Sequence, residues 1–144
     1  MEKEIHVVDP YQYIDEKTEK ALKSYHNVSV FSIIQCALTI PLMIGQLFTE
    51  NGISINDFTP LMFVVILLVN VPTIIKFIAS VLGVKVKKNP SLIKASWILY
   101  IVSAVVLVIW YFLQYITFGA IVWLVYFWVI KDGYTIKKWV DSCK

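Results

Sequence analysis

Long apolar runs, separated by short charged bands, dominate this chain. The first run covers residues 28–48 and the second covers residues 58–84. Both reach or exceed the roughly 20 residues that a helix needs to cross a bilayer core. We therefore predict transmembrane α-helices at these positions, as spans one and two. Pro41 and Pro72 lie well inside them and should kink them, because proline cannot donate the helical hydrogen bond.

A third apolar stretch is too long for one helix. Nothing is charged from Ala95 to Ile130, and those 36 residues would form a helix of about 54 Å against a bilayer core of about 30 Å. Two helices joined by a tight turn near Gln114–Thr117 fit that length. We predict span three at residues 92–113 and span four at residues 118–136.

The charged bands orient the four spans. Lysines precede span one, and a lysine band without acids occupies residues 85–94, between spans two and three. The loop Thr49–Asp57 carries two acids and no cation. Lysines at every second connection are what the positive-inside rule predicts for four spans with both termini in the cytoplasm. The sequence therefore predicts an all-α integral membrane protein, a four-helix transmembrane bundle with the loops Thr49–Asp57 and Gln114–Thr117 outside.

The polar ends are predicted to be cytoplasmic tails. Residues 1–27 form the N-terminal tail, residues 28–138 the bundle and residues 139–144 the C-terminal tail. The N-terminal tail suits a short amphipathic helix whose apolar side chains are able to face the membrane surface: Ile14, Ala21, Leu22 and Tyr25. Aromatic residues at the inner ends of spans three and four match interfacial belts: Trp97, Tyr100, Trp128, Tyr134 and Trp139.

Composition agrees with lipid-facing helices. Of the 144 residues, 58% are hydrophobic and 16% are charged, against about 25% charged in a typical soluble domain. Every cation is lysine, and the absence of arginine argues against a nucleic-acid partner, because the planar guanidinium is preferred for gripping phosphates. The expected partners are the lipid bilayer itself and, at Lys85, Lys87 and Lys88, anionic lipid head groups.

Lys76 is the first candidate for function, since an ionisable residue inside a span is a functional candidate by default. It lies nine residues before Lys85, so its ammonium can snorkel to the inner surface or pair with a carboxylate. Asp132 is the expected partner, within salt-bridge reach of Lys76 directly or through water. A transport or proton-relay role for Lys76 is the alternative.

Gln35 and Asn70 are the other strongly polar groups in mid-span. Each can hydrogen-bond across helices and so hold the bundle together. The alternative is that they line a substrate pocket at the kinks of Pro41 and Pro72. Close helix approach is expected at small residues of spans two and three: Ala79, Ser80, Gly83, Ser96, Ser103 and Ala104.

Motifs of catalysis are missing from the sequence. No cluster of His, Cys or carboxylates has metal-ligand spacing, and no Gly-rich phosphate loop or serine-nucleophile motif occurs. We therefore expect no enzyme activity, no cofactor and no metal.

Two short signals lie near the termini. Residues Tyr11 to Ile14 fit the tyrosine sorting pattern Y-x-x-Φ, which an adaptor reads as an extended cytosolic peptide. Cys143 is either an unreactive thiol or a site of S-palmitoylation next to the membrane.

Three features resemble a known family. Leu82–Val84 is followed by lysines and then by Asn89–Leu92, spans three and four lie close together, and the aromatic run Tyr126–Ile130 is followed by Tyr134. This combination resembles the insect four-pass membrane proteins related to the lysosome-associated four-transmembrane (tetraspan) family. The chain departs from that family by lacking its proline-tyrosine motifs and cysteines in the outer loops. The resemblance implies a non-enzymatic scaffold in the plasma membrane or in endosomal or lysosomal membranes.

Two classes of function follow. The first is a tetraspan scaffold, trafficking adaptor or accessory subunit that binds other membrane proteins laterally. The second is a small oligomeric carrier or channel that uses the region of Asn70, Pro72 and Lys76. The sequence favours the first, because permeation paths are usually lined by polar groups and these spans hold almost no ionisable ones.

Overall fold

The computed structural model describes residues 14–50, 59–113 and 120–143. Within these ranges the chain forms four α-helices and one short 3₁₀ helix: α1 (Glu16–Glu50), α2 (Pro60–Val86), a 3₁₀ turn (Pro90–Leu92), α3 (Ile93–Phe112) and α4 (Ala120–Ser142). The described residues contain no strand. The all-α class is therefore confirmed, while the predicted sorting residue Tyr11 and most of both outer loops lie outside the described residues.

Local chemistry explains the boundaries of α2 and α3. The Thr59 side chain accepts a hydrogen bond from the backbone N–H of Met62, and Pro60 occupies the first turn, where a missing N–H costs nothing. The chain leaves α2 at Lys87, and Pro90 then opens the 3₁₀ turn that leads into α3. Both helices therefore lie within two residues of their predicted limits.

α1 is longer than predicted. It runs without a break from Glu16 to Glu50, so the amphipathic segment of the N-terminal tail is part of the same helix as span one. Its side chains Ala21, Leu22 and Tyr25 are buried in the bundle instead of facing the membrane surface. The reason is that α4 also continues, to Ser142, and supplies an apolar partner surface at this end.

The four helices form an up-and-down bundle in which consecutive helices pack against each other and α1 also packs against α4. Side-chain pairs give the directions. Gln35 of α1 meets Lys76 of α2, whereas His26 meets Val84, so these helices are antiparallel. The hydrophobic core continues to the inner end of the bundle, the end predicted to face the cytoplasm: Ala21, Leu22, Val86, Ile93, Ile136 and Val140.

Small residues allow the helices to approach closely, as predicted. Ala79, Ser80, Ser96 and Ser103 are fully buried and Gly83 is buried, whereas Ala104 is half-buried. A Cβ atom on Gly83 would overlap the hydroxyl of Ser29, which shows how near α1 lies to α2.

α2 is bent by 56° between its segments Pro60–Leu68 and Asn70–Val86. Pro72 explains the bend, because its missing N–H leaves the carbonyl of Leu68 without its helical partner. The kink predicted for span two is therefore present.

Among the described residues, the segment Pro90–Phe112 is long and apolar enough to cross a membrane. The two segments of α2 meet the same criterion when they are taken together. The four-pass arrangement as a whole stays a prediction.

Candidate functional site

A column of polar side chains runs through the middle of the bundle. One face of each helix carries residues spaced by three or four positions, which places them in one line facing the axis. On α1, α2 and α3 this line holds hydroxyls and one ammonium in place of the usual leucines and valines: Tyr25, Ser29 and Ser32; Thr73, Lys76 and Ser80; Ser96, Tyr100 and Ser103. The site is therefore built on the faces where a soluble bundle would place its apolar core.

The lowest layer of the column joins α1, α2 and α3. The hydroxyl oxygens of Tyr25 and Ser96 lie 2.8 Å apart, and Ser96 donates to the backbone carbonyl of Ala79 over 2.8 Å. Since Ser96 has one hydroxyl proton, Tyr25 is the donor in the pair with Ser96. Tyr25 thus reaches from α1 to α3, the two helices that face each other across the bundle.

The middle layer is centred on Tyr100, which is fully buried. Its hydroxyl oxygen lies 2.8 Å from Ser80 Oγ on α2 and 3.3 Å from Ser29 Oγ on α1. Ser80 in turn donates to the carbonyl of Lys76 over 2.7 Å. The prediction that placed Tyr100 in an interfacial belt is therefore wrong, because its ring lies between helices and its hydroxyl is satisfied there.

The upper layer joins α3 and α4 to the kinked part of α2. Ser103 donates to the carbonyl of Pro72 over 2.6 Å, and the hydroxyl of Tyr126 lies 2.6 Å from Ser103 Oγ. Because the Ser103 proton is used on Pro72, Tyr126 is the donor to Ser103. The kink of α2 is thereby tied to the other side of the bundle.

Lys76 lies beside this upper layer and is only 4% exposed. Its Nζ donates to Gln35 Oε1 over 2.7 Å and lies over the ring of Tyr126, 5.0 Å from the ring centroid. Both contacts stabilise a positive charge, through an amide oxygen and through the electron-rich face of an aromatic ring. The structure thus brings together two of the predicted site residues, Lys76 and Gln35.

A cavity of about 50 Å³ lies next to Lys76. Side chains from all four helices line it, and its polar lining consists of an amide, a thiol, two threonine hydroxyls and a tyrosine besides the ammonium: Gln35, Cys36, Thr39, Thr73 and Tyr126. At about 10–15 Å³ for one water, this is room for a few waters or one small ion.

Asp132 does not form a direct ion pair with Lys76. In the described part of the chain no ion pair joins the two residues, and the prediction of a direct pair is wrong. The reason is depth along α4, since Tyr126 occupies the level of Lys76 and Asp132 lies six residues further on, about 9 Å along the helix. Snorkelling is also excluded, because the Lys76 side chain is buried between the helices.

Asn70 is buried but does not line the cavity of Lys76. Its Nδ2 donates to the carbonyl of Ile66 over 2.8 Å within the same helix. Its Oδ1 has no hydrogen-bond partner among the described residues. The predicted joint site of Asn70 with Lys76 is therefore not formed.

The remaining candidates lie at the inner end. Ile14 is exposed, and Cys143 is a half-buried free thiol just beyond α4. Lys85, Lys87 and Lys88 are all exposed around the connection between α2 and α3, where a head group could reach them.

An ionic contact at this inner end was not anticipated from the sequence. Asp141 pairs with Lys94 over 2.8 Å and with Lys137 over 3.5 Å, which joins the end of α4 to the start of α3. The hydrogen bond from Lys94 lowers the pKa of the Asp141 carboxyl below its usual value. Lys137 also lies over the ring of Trp97, and the indole of Trp97 donates to the carbonyl of Ile130 over 3.0 Å.

Most hydroxyls of the column pair with one another or with carbonyl oxygens, whereas Ser32 Oγ has no hydrogen-bond partner among the described residues. Such partners lack the basicity that activates a nucleophile. Their chemistry is cohesion of the helices, and the distinctive group among them is the buried ammonium of Lys76. The one signal in the sequence that could have revealed the column is the spacing by three or four positions of Ser and Tyr on α1 and α3.

Comparison with protein-family models, with curated proteins and with solved structures finds no match to this chain.

Proposed function

We propose that this chain is a non-enzymatic, four-pass membrane protein that binds other membrane proteins laterally, as a scaffold or as an accessory subunit of a larger complex. The observation that carries this proposal is the distribution of polarity. The bundle exposes large apolar side chains on all four helices, while it buries serines, tyrosines and a lysine inside. This is the arrangement expected when the surrounding solvent is lipid.

The exposed apolar surface is extensive. Only 28% of the most apolar window in the segment Pro90–Phe112 is buried, although a core helix of a soluble protein would be mostly buried. Every helix contributes large exposed side chains at the predicted membrane level: Phe31, Leu38, Leu42, Leu61, Phe63, Leu68, Ile98, Ile109, Phe112, Leu124 and Phe127. Soluble monomers rarely expose contiguous apolar patches beyond a few hundred Å².

The filling of the interior by side chains favours lateral binding over transport. Tyr25, Tyr100 and Tyr126 fill the axis and each is hydrogen-bonded to a serine. The cavity at Lys76 has about 50 Å³, whereas sites for organic ligands have roughly 300–1,000 Å³. With its interior occupied by its own side chains, the bundle offers its outer surface to partners.

The carrier or channel is the second candidate, and the buried Lys76 beside a cavity is the observation that favours it. In this function the bundle would form oligomers and Lys76 would contact the permeating species. The kink at Pro72 would then be the hinge, because it is tied to α3 through Ser103.

Both functions place the lysines of the α2–α3 connection in the cytoplasm, against anionic head groups. The resemblance to four-pass tetraspans supports a location in the plasma membrane or in endosomal or lysosomal membranes. In that setting, the segment around Tyr11 and Ile14 would serve for sorting and Cys143 for palmitoylation.

Single-cysteine labelling tests the membrane topology. We expect Asn89→Cys, in a chain with Cys36→Ala and Cys143→Ser, to react with a membrane-impermeant maleimide only after permeabilisation. Labelling of intact cells at this position would contradict the cytoplasmic location of the connection.

Photo-cross-linking tests lateral binding. A photoreactive side chain at Phe127, which is exposed, should form adducts with a protein partner, whereas the same group at the fully buried Val129 should not. Adducts with lipid alone at Phe127 and at Phe31 would remove the support for a scaffold. A homo-oligomer as the sole protein adduct would favour the carrier.

A further inference from the structure

Among the described residues, the ammonium of Lys76 has only neutral close contacts. Its close contacts are Gln35 Oε1 and the ring of Tyr126, and no described carboxylate forms an ion pair with it. A charge buried among helices is costly unless it is paired, and a lysine has three N–H donors, of which Gln35 accepts one. The described residues therefore place no negative charge at Lys76 Nζ.

The adjoining cavity is suited to supply that charge. It has about 50 Å³ and is lined by Lys76 together with uncharged groups, including the thiol of Cys36 and the hydroxyl of Thr73. A single cation among neutral polar groups favours an anion and opposes a second cation. The volume admits a monatomic ion and excludes an organic acid of substrate size.

We propose that this cavity binds a small inorganic anion of the halide class, held by Lys76 Nζ. The anion neutralises the buried ammonium and stabilises the bundle in proportion to its concentration, since it binds the folded state and not the unfolded one. This inference goes beyond the lateral-binding function, and its test does not depend on that function. It requires the bundle described here and no partner protein.

Thermal unfolding of the full chain, purified in a mild detergent, tests the proposal. Chloride and bromide are titrated at constant ionic strength against gluconate, which is too large for the cavity. We expect a saturable rise of the unfolding midpoint with chloride and with bromide. The rise should be absent in Lys76→Met and retained in Lys85→Met, which removes an exposed lysine of the same charge. An equal rise in Lys76→Met, or no rise in the parent chain, would overturn the site.

Gln35→Glu provides a second variant that keeps the lysine. It places a carboxylate oxygen where the amide oxygen now lies, 2.7 Å from Nζ, and so supplies the missing charge within the protein. We expect this variant to lose the chloride dependence and to unfold no earlier than the chloride-saturated parent. Retention of the full chloride dependence would show that the anion binds elsewhere.

Direct binding is measured by the line width of the chloride nuclear magnetic resonance signal. The parent chain should broaden the signal, bromide should reverse the broadening, and Gln35→Glu should broaden it no more than a buffer control. Because this comparison does not need Lys76→Met to fold, it decides the proposal even if that variant is unstable. Equal broadening by the parent and Gln35→Glu would contradict it.

Discussion

Tyr25 of α1 and Ser96 of α3 are joined across the centre of the bundle, with 2.8 Å between their hydroxyl oxygens. The two helices are not neighbours along the chain, and this contact crosses the space between α2 and α4. Both residues are fully buried, so the bond has no competition from water.

Removing this contact should weaken the bundle modestly. Tyr25→Phe keeps the ring but loses the donor, while Ser96 keeps its bond to Ala79, so we expect a loss of about 0.5–1.5 kcal/mol in the free energy of unfolding. Tyr134→Phe is the matched control, because Tyr134 is exposed and should change stability little. The free energy of unfolding is measured in a mild detergent by titration with a denaturing detergent. Equal effects of the two changes would contradict the buried role of Tyr25.

Close approach of α1 and α2 should make Gly83 intolerant of a side chain. In Gly83→Ala the new methyl group meets Ser29, with Tyr25 next to it, so we expect a loss of about 1–3 kcal/mol. Gly45→Ala is the control, since no heavy atom of the described residues beyond its own stretch of helix lies within 4 Å of a Cβ at this position, and helix propensity should leave the variant neutral or more stable. Adding Ser29→Ala to Gly83→Ala should recover part of the loss, and no recovery would mean that the strain lies elsewhere.

Lys76 should couple energetically to Gln35 and not to Asp132. Gln35→Leu removes the acceptor of a buried ammonium, which typically costs about 1.5–3 kcal/mol. The double change Gln35→Leu with Lys76→Met should therefore cost less than the sum of the single changes. Lys76→Met with Asp132→Asn should be additive. A double-mutant cycle in detergent checks both pairs, and coupling of Lys76 to Asp132 would contradict the assignment of Gln35 as its partner.

Acid should loosen the contact between α3 and α4 at the inner end. Lys94 lowers the pKa of Asp141 below the usual 3.8, so the ion pair stabilises the folded state above that value. As the pH falls through the lowered pKa, the carboxyl is protonated and the contribution is lost. Hydrogen exchange of the last turn of α4 should therefore speed up, relative to the intrinsic rate, below the usual carboxyl pKa. Asp141→Asn should show the faster exchange already at neutral pH, and a parent chain with no such acid response would contradict the role of Asp141.

The helices themselves follow from the sequence. Apolar runs interrupted by Thr59, Pro60 and Pro90 are enough to place α2 and α3 within two residues, because hydropathy and backbone chemistry are local properties. The close-packing positions Ala79, Ser80 and Gly83 also follow, since small residues are recognisable one at a time. The sequence also predicted a short amphipathic helix before residue 28, but not that this helix continues into span one or that its apolar face is buried against α4, because those depend on tertiary contacts.

Partners of buried polar groups were decided by the tertiary structure. The sequence by itself determined that Lys76 is an ionisable residue within an apolar helix, and it offered Asp132 as the nearest acid by depth. The bundle instead sets Tyr126 at the level of Lys76 and turns Gln35 towards it. Which side chains meet depends on the rotation and the axial shift of each helix, and a shift of one turn, about 5.4 Å, exchanges one partner for another.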